Sequence, residues 1–202
     1  MFSLWKKIFA AIIFVSIALF GINELLKKAD GGVGLVTTRF IQKRNEVAGL
    51  LKQLASTPDT NLTELGSYEQ RRDYLGALNI LRGVQNKNDE LVGLIGDLVL
   101  KTEAVTAEAE KIDEVVLRPQ AISALEELQR GNNLMLDYFE FRTQIFQKMN
   151  KYYSDFVLTS AATPPDITAD MEKIDQYVAE ARLAYDSFNK KIDLFDRAAG
   201  LK

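Results

Sequence analysis

The feature that most constrains this chain is an uncharged, largely apolar run near its start. Residues 8–22 carry no charged side chain, and lysine pairs bracket them at positions 6–7 and 27–28. With its flanks counted, residues 4–26 would form a helix of roughly 33 Å, close to a bilayer core of about 30 Å. This pattern predicts an uncleaved membrane anchor over residues 1–29, with the lysines reaching the interface. The predicted anchor residues are Ile8, Phe9, Ile12, Ile13, Phe14, Val15, Ile17, Leu19, Phe20 and Ile22.

Two other interpretations of this run stay open. Lys6 and Lys7 before an apolar stretch are also typical of a cleaved signal peptide, with Ser16-Ile17-Ala18 as the best cleavage site. The run could instead be a buried core helix, which the flanking lysine pairs make the least favoured interpretation. The numbers of basic residues on the two sides of the run are nearly equal, so they only weakly specify the orientation of the anchor in the membrane. We expect the amino terminus inside and the remaining chain outside, in the periplasm or at the cell surface.

Charge and composition narrow the function classes. From residue 30 onward the chain carries 21 basic and 27 acidic residues, a net charge of −6. An acidic domain lacks the basic patch that a nucleic-acid surface requires, so no nucleic-acid partner is expected. The chain has no histidine and no cysteine. Histidine-dependent triads, HExxH zinc helices, thiolate metal sites and disulfides are therefore excluded, and no cofactor is expected.

Apolar periodicity predicts helices throughout the rest of the chain. Glycines at 31, 32 and 34 predict a hinge over residues 30–34. A helix is expected over 35–55, with Val36, Phe40, Val47, Leu50 and Leu54 on its apolar stripe. Further helices are expected over 67–117, over 119–158 and from a cap at Thr168 to an end at Gly200. The apolar stripe of the last helix is Met171, Ile174, Val178, Ala181, Tyr185, Phe188, Ile192 and Phe195.

The predicted helix over 67–117 rests on a capping box and a seven-residue repeat. Ser67 and Gln70 have the spacing of the capping box, and Arg118-Pro119 stops the pattern. Seven-residue spacing over this length favours coiled-coil-like packing. The repeat continues through Asn86-Lys87-Asn88-Asp89, which otherwise resembles a turn. We favour a continuous helix, and a break at 86–89 is the alternative. The repeat positions are Ala77, Val84, Leu91, Leu98, Val105 and Ile112, with Tyr74, Leu81, Asn88, Ile95, Thr102, Ala109 and Val116 beside them.

The helix over 119–158 carries two apolar stripes, so we expect it at the centre of the bundle. Two polar residues interrupt its main stripe. Arg142 is either an anion-binding ligand inside the bundle or, more plainly, an arginine at the bundle edge with a buried stem. Asn132 is either a ligand site or a residue that fixes helix register, as Asn88 would.

Other candidate sites have simpler explanations. Aromatic side chains between Tyr138 and Phe156 could line an apolar pocket, but at helical spacing they are expected to be core. The carboxylates of Glu108, Glu110, Glu126 and Glu127 could bind a metal, but adjacent residues point to different helix faces. A solvated surface is the favoured interpretation of these glutamates.

These patterns predict an all-α protein. Its parts would be an anchor over 1–29, a hinge over 30–34 and an elongated antiparallel bundle over 35–202. The bundle would have four helices, or five if the second one breaks. We expect a non-enzymatic scaffold that touches membrane lipid through the anchor and binds a protein partner or itself. The alternatives are a ligand-binding sensory bundle that signals through a partner, and a membrane-active protein that inserts residues 8–22 on demand.

Overall fold

The computed structural model describes residues 35–56 and 62–201, and the regular structure within these ranges is helical throughout. The helices pack into one bundle, which confirms the predicted all-α class. The predicted anchor and hinge, residues 1–34, lie outside the described residues. Among the helices that are described, none combines the length and apolarity needed to cross a membrane. The helices are α1 (Leu35–Ser56), α2 (Leu62–Gln70), α3 (Tyr74–Ala109), α4 (Leu117–Thr159) and α5 (Thr168–Ala198).

The long helices run antiparallel to their neighbours. In each helix pair, residues that lie later in one helix meet residues that lie earlier in the other. The longest helix, α4, has 43 residues, or about 64 Å of length. It packs between α3 and α5, as its two apolar stripes predict. The pairs are Asn88–Thr143 and Thr102–Asn132 between α3 and α4, Glu127–Lys191 and Lys148–Asp170 between α4 and α5, and Lys43–Glu108 between α1 and α3.

This arrangement gives the bundle two poles. At one, which we name the terminal pole, α1 begins, α3 ends, α4 begins and α5 ends. At the other, named the aromatic pole, α2 turns into α3 and α4 turns into α5. The aromatic pole is marked by Tyr74, which stacks on Phe156 with ring centroids 3.8 Å apart. Helix α2 completes this end through Leu65, which is fully buried.

The predicted helix over 67–117 is continuous through 86–89, but both of its ends were placed wrongly. Ser67 lies inside α2 and does not cap a helix. Asp73 caps α3 instead, because its Oδ1 accepts the Gly76 backbone N–H at 2.9 Å. At the other end, α3 stops at Ala109 and a turn over residues 110–116 follows. The described residues therefore form five helices. The break that adds the fifth lies at 71–73, whereas the predicted alternative placed it at 86–89.

The turn at 71–73 has a specific backbone geometry. Arg72 adopts φ +58°, the left-handed conformation that commonly ends a helix. The backbone N–H of Asp73 donates to Tyr68 O at 2.9 Å and that of Arg72 to Glu69 O at 3.0 Å, which is a Schellman motif. Glycine is the usual residue at this position, and its absence explains why the sequence did not reveal the break.

Most predicted core positions are buried. From Ala77 to Ile112, every position of the seven-residue repeat is buried. The entire predicted apolar stripe of α5, from Met171 to Phe195, is also buried. Val116 is an exception because α3 ends before it, and its side chain is 66 % exposed. In α1, Leu51 takes the buried position expected for Leu50.

The carboxyl-terminal end of α5 lies where the sequence predicts it, but its amino-terminal end is capped differently. Gly200, at φ +68°, terminates the helix as expected. Thr168 does not cap it. Thr168 is the first helical residue, and its backbone N–H donates to Asp166 Oδ1 at 3.0 Å. This hydrogen bond lowers the pKa of the Asp166 carboxyl.

Candidate functional site

Asn132 lies at the centre of a polar contact that joins three helices. Its Nδ2 donates to Thr102 Oγ1 on α3 at 2.9 Å. The Tyr185 hydroxyl of α5 donates to Asn132 Oδ1 at 3.0 Å. All three residues are buried, and burial raises the pKa of the Tyr185 hydroxyl. A satisfied buried network of this kind sets the relative register of its helices, so the geometry favours the register interpretation of Asn132.

Gly131 makes this network possible. A Cβ at Gly131 would lie 2.9 Å from Cε1 of Tyr185, which is closer than carbon atoms pack. The tyrosine ring therefore lies directly against the backbone of α4, and its hydroxyl reaches Asn132. Gly131 had no predicted role, although a glycine beside a polar residue in the apolar stripe of a long helix is the signal that the sequence offers.

Arg142 is buried more deeply than the bundle-edge interpretation expects. Its side chain is only 2 % exposed, so the guanidinium is almost entirely shielded from water. The Cζ atom lies 5.1 Å from the centroid of the Phe146 ring, one turn further along α4. This is a cation–π arrangement in a desolvated setting, where such contacts are strongest. The structure does not bring Arg142 and Asn132 into one site.

Asn88 makes a similar contact nearer the aromatic pole. Its Nδ2 donates both to Thr143 Oγ1 at 2.8 Å and to Phe139 O at 3.0 Å. Asn88 Oδ1 is buried without a hydrogen-bond partner among the described residues. Asn88 and Asn132 therefore hold α4 at two heights along the bundle.

A buried ion pair at the terminal pole was not among the predicted contacts. Arg44 Nη1 of α1 lies 2.6 Å from Asp196 Oδ1 of α5, and both side chains are buried. The available signal was a gap in the α1 stripe, because Arg44 occupies the position between Phe40 and Val47. Beside this pair the Phe40 and Phe195 rings meet edge to face, with centroids 5.2 Å apart. The contact connects α1 to α5, two helices that are distant in sequence.

The glutamates considered as metal ligands serve other contacts. Glu127 Oε1 lies 2.9 Å from Lys191 Nζ, and this hydrogen bond lowers the pKa of the Glu127 carboxyl. Glu108 Oε1 lies 2.9 Å from Lys111 Nζ, which lowers the pKa of Glu108 in the same way. Within residues 35–56 and 62–201, no group of three or more acidic side chains could hold a metal ion.

An open groove of about 550 Å³ lies between the last turns of α3 and the first half of α4. Arg142 is not part of its lining, so this groove is not the predicted anion site. Three carboxylates and one guanidinium line it, a balance better suited to a cationic ligand than to an anion. The polar side chains of the lining are Glu103, Thr106, Glu110, Glu126, Gln129, Arg130 and Asn133.

The predicted aromatic group is largely core. Tyr138, Phe139, Phe146 and Tyr153 are all buried within the bundle. The Tyr153 hydroxyl donates to Glu69 Oε1 of α2 at 2.7 Å. Burial raises the pKa of Tyr153, and the Glu69 hydrogen bond raises it further. Tyr153 lies at the aromatic pole, and Tyr138, Phe139 and Phe146 lie further from it along α4. None of these four rings lines the groove between α3 and α4.

Apolar side chains are exposed beside the aromatic stack. Leu75 of α3 is 60 % exposed and Val157 of α4 is 44 % exposed. They follow Tyr74 and Phe156, which face each other across the helix pair. In antiparallel helices, a one-residue step from each member of a facing pair turns toward the same side. Leu75 and Val157 therefore share one face, which we name the aromatic-pole face.

Comparisons with family models, with curated proteins and with solved structures found no match to this chain. The candidate site therefore rests on its own geometry: a bundle held in register by buried polar contacts, with an exposed apolar face at one pole.

Proposed function

We propose that this chain is a membrane-anchored, non-enzymatic interaction protein whose helical bundle binds a protein partner or a second copy of itself. The observation that carries the proposal is the aromatic-pole face. Leu75 and Val157 are exposed apolar side chains on a well-packed support, since Tyr74 stacks on Phe156 directly behind them. Apolar side chains that share one exposed face mark a candidate protein-binding site, because the buried core of an interface is more apolar than the rest of the surface.

The direction of the chain supports the same proposal. α1 begins at the terminal pole, so a predicted anchor before residue 30 would attach the bundle there. The aromatic pole would then stand at the far end of α4, about 60 Å away. A domain built in this way would present its exposed apolar face away from the membrane, where a partner can reach it. We expect the bundle to be extracytoplasmic, and protease accessibility in intact cells tests this orientation.

Site-specific photocrosslinking in native membranes tests the function. A photoreactive residue replaces Leu75 or Val157 in the full-length protein, and the adducts are identified by mass spectrometry. The matched control is Leu100, which is 64 % exposed in the middle half of α3. We expect discrete adducts from the two pole positions and few from Leu100. Adducts at twice the mass of the chain would identify a second copy as the partner.

Two results would contradict the proposal. One is a crosslinking pattern at Leu75 and Val157 that does not differ from that at Leu100. The other is a turnover-dependent activity that one acidic or serine substitution abolishes, because it would make the protein an enzyme.

The groove between α3 and α4 favours a second candidate, the sensory bundle. Its carboxylates, Glu103, Glu110 and Glu126, suit a cationic ligand. A thermal shift of the full-length protein with small organic cations, lost in Glu103→Gln/Glu126→Gln, would support this candidate.

The membrane-active alternative requires a form of the protein that stays in solution, and flotation of cell extracts with membranes tests it.

A further inference from the structure

The turn over residues 110–116 at the terminal pole buries one of its apolar side chains and exposes the other two. Ile112 is completely buried, whereas Val115 is 83 % exposed and Val116 is 66 % exposed. Two adjacent valines exposed to this degree are costly in water, because apolar surface in water is unfavourable. The heptad pattern had placed Val116 inside the bundle, so its exposure is a consequence of the tertiary structure.

The turn is held in place by several hydrogen bonds. Arg118 Nε donates to Ile112 O at 2.6 Å. The backbone N–H groups of Leu117 and Arg118 both donate to Glu114 O, at 3.1 and 3.0 Å. These bonds fix the backbone on both sides of Val115 and Val116. The two valines are therefore presented outward by an ordered turn.

The chain enters α1 at the same pole. Lys43 Nζ of α1 lies 3.7 Å from Glu108 Oε1, near the end of α3. Leu35 precedes Lys43 by eight residues, so the start of α1 lies about 12 Å beyond Glu108 along the bundle axis. This places it level with, or beyond, the turn that carries the valines.

The connection to the predicted anchor is short. Seven residue steps separate Lys28 from Leu35, and seven extended residues span at most about 25 Å. If the anchor spans a bilayer, the terminal pole cannot move further than this from the lipid interface. The turn is then confined near the membrane, where even a weak apolar contact is occupied for much of the time.

We infer that Val115 and Val116 dock into the lipid surface as a second, shallow membrane contact beside the anchor; this inference rests on the proposed function. The charges of the turn define the lipid. Glu110, Asp113 and Glu114 outnumber Lys111 and Arg118, so the turn has no cationic excess for anionic headgroups. The contact is apolar and takes a neutral phosphatidylcholine surface. It orients the bundle with its aromatic pole away from the membrane.

The natural sequence is well suited to a test. It contains no cysteine, and Trp5, in the flank of the predicted anchor, is its only tryptophan. Val116→Cys and Leu158→Cys in the full-length protein each carry one polarity-sensitive fluorophore. Leu158 is 81 % exposed at the aromatic pole and is the matched control. The proteins are reconstituted into phosphatidylcholine vesicles with or without a quenching phosphatidylcholine, and Trp5 reports on the anchor in the same sample.

We expect quenching of the label at position 116 to exceed that at position 158 by about twofold or more, since interfacial contacts lie within the headgroup region. Val115→Asp should reduce quenching at 116 to the level of 158, whereas Leu158→Asp should leave it unchanged.

Quenching at 116 that is no greater than at 158, with Trp5 quenched, would overturn the docking and leave the anchor intact. Quenching at 116 that survives Val115→Asp would likewise overturn an apolar contact. Loss of Trp5 quenching together with loss of vesicle flotation would overturn the proposed function itself.

Discussion

Arg44 and Asp196 are 152 positions apart in sequence, yet Arg44 Nη1 lies 2.6 Å from Asp196 Oδ1 in the interior of the bundle. Their side chains are 2 % and 1 % exposed. Arg44 Nε and Nη2 have no hydrogen-bond partner among the described residues, so the guanidinium is only partly compensated. The pair secures α1, the helix that follows the predicted anchor and hinge, to the end of α5.

Removing one charge from this pair should destabilise the bundle strongly. Asp196→Asn leaves the Arg44 cation buried without its counter-charge, and we expect a loss of about 3–5 kcal/mol in the free energy of unfolding. Urea denaturation of the full-length protein in detergent, followed by circular dichroism, measures it. The double variant Arg44→Met/Asp196→Leu is the control and should recover most of the loss, because it leaves no buried charge. Equal stability of Asp196→Asn and the parent would refute a structural role for the pair.

Alanine substitutions at Gly131 and Gly83 should have opposite effects, although both glycines lie inside long helices. Gly83 has open space at its Cβ position, so Gly83→Ala should stabilise the protein by about 1 kcal/mol through helix propensity. Gly131→Ala should destabilise it by about 1–3 kcal/mol, because the new methyl group displaces the Tyr185 ring. Chemical denaturation of both variants under the same conditions makes the comparison. A stabilising Gly131→Ala would contradict the close approach of Tyr185.

Relief of the left-handed backbone at Arg72 should stabilise the turn between α2 and α3. At φ +58° a residue with a Cβ is less favourable than glycine, and we expect Arg72→Gly to stabilise the protein by about 1 kcal/mol. Arg72→Ala removes the same side chain but keeps the Cβ, so it should give no such gain. The unfolding midpoints of the two variants separate the backbone effect from the loss of the arginine. Equal midpoints would argue against strain at this position.

The bundle should lose stability in alkali because it buries several tyrosine side chains, including Tyr152, Tyr153 and Tyr185. Burial raises the pKa of all three of these hydroxyls above the ordinary value of about 10. Above that pH the unfolded chain releases protons that the folded chain retains, so the free energy of unfolding falls as pH rises. Below pH 10 this contribution is fully present.

Tyr185→Phe tests this dependence. The variant should be less stable at neutral pH, because Asn132 Oδ1 loses its donor, and its stability should decline less steeply between pH 9 and 11. Urea midpoints across this range measure both effects. An alkaline slope identical to that of the parent would show that Tyr185 does not contribute to it.

Periodicity predicted the helical class and most of the core because both follow from local repetition. Ile174, Val178 and Tyr185 recur at helical spacing, and such a face must be buried whichever helix covers it. The continuous helix through 86–89 was predictable for the same reason, since the seven-residue repeat outweighs four polar residues. Asn132 was recognised as a register candidate because it interrupts an otherwise apolar stripe.

The ends of α3 were not predictable from these patterns. Arg72 ends α2 in a conformation that glycine usually adopts, so the sequence carries no clear stop signal there. The heptad also continues from Ala109 to Val116 although the helix does not, and a repeat cannot show that its last apolar member faces water. The contacts that decide these ends, such as Tyr68 against Gly76, are made between different helices.

The sequence by itself determined that most of residues 35–56 and 62–201 form helices with buried stripes, because backbone preference and apolar spacing are local properties. Only the tertiary structure decided that Arg44 meets Asp196, that Tyr185 reaches Asn132 across Gly131, and that Leu75 and Val157 share an exposed face. Each of these depends on the position and rotation of one helix against another. That choice is made by the sum of many packing contacts over the whole bundle, which no single stretch of the chain contains.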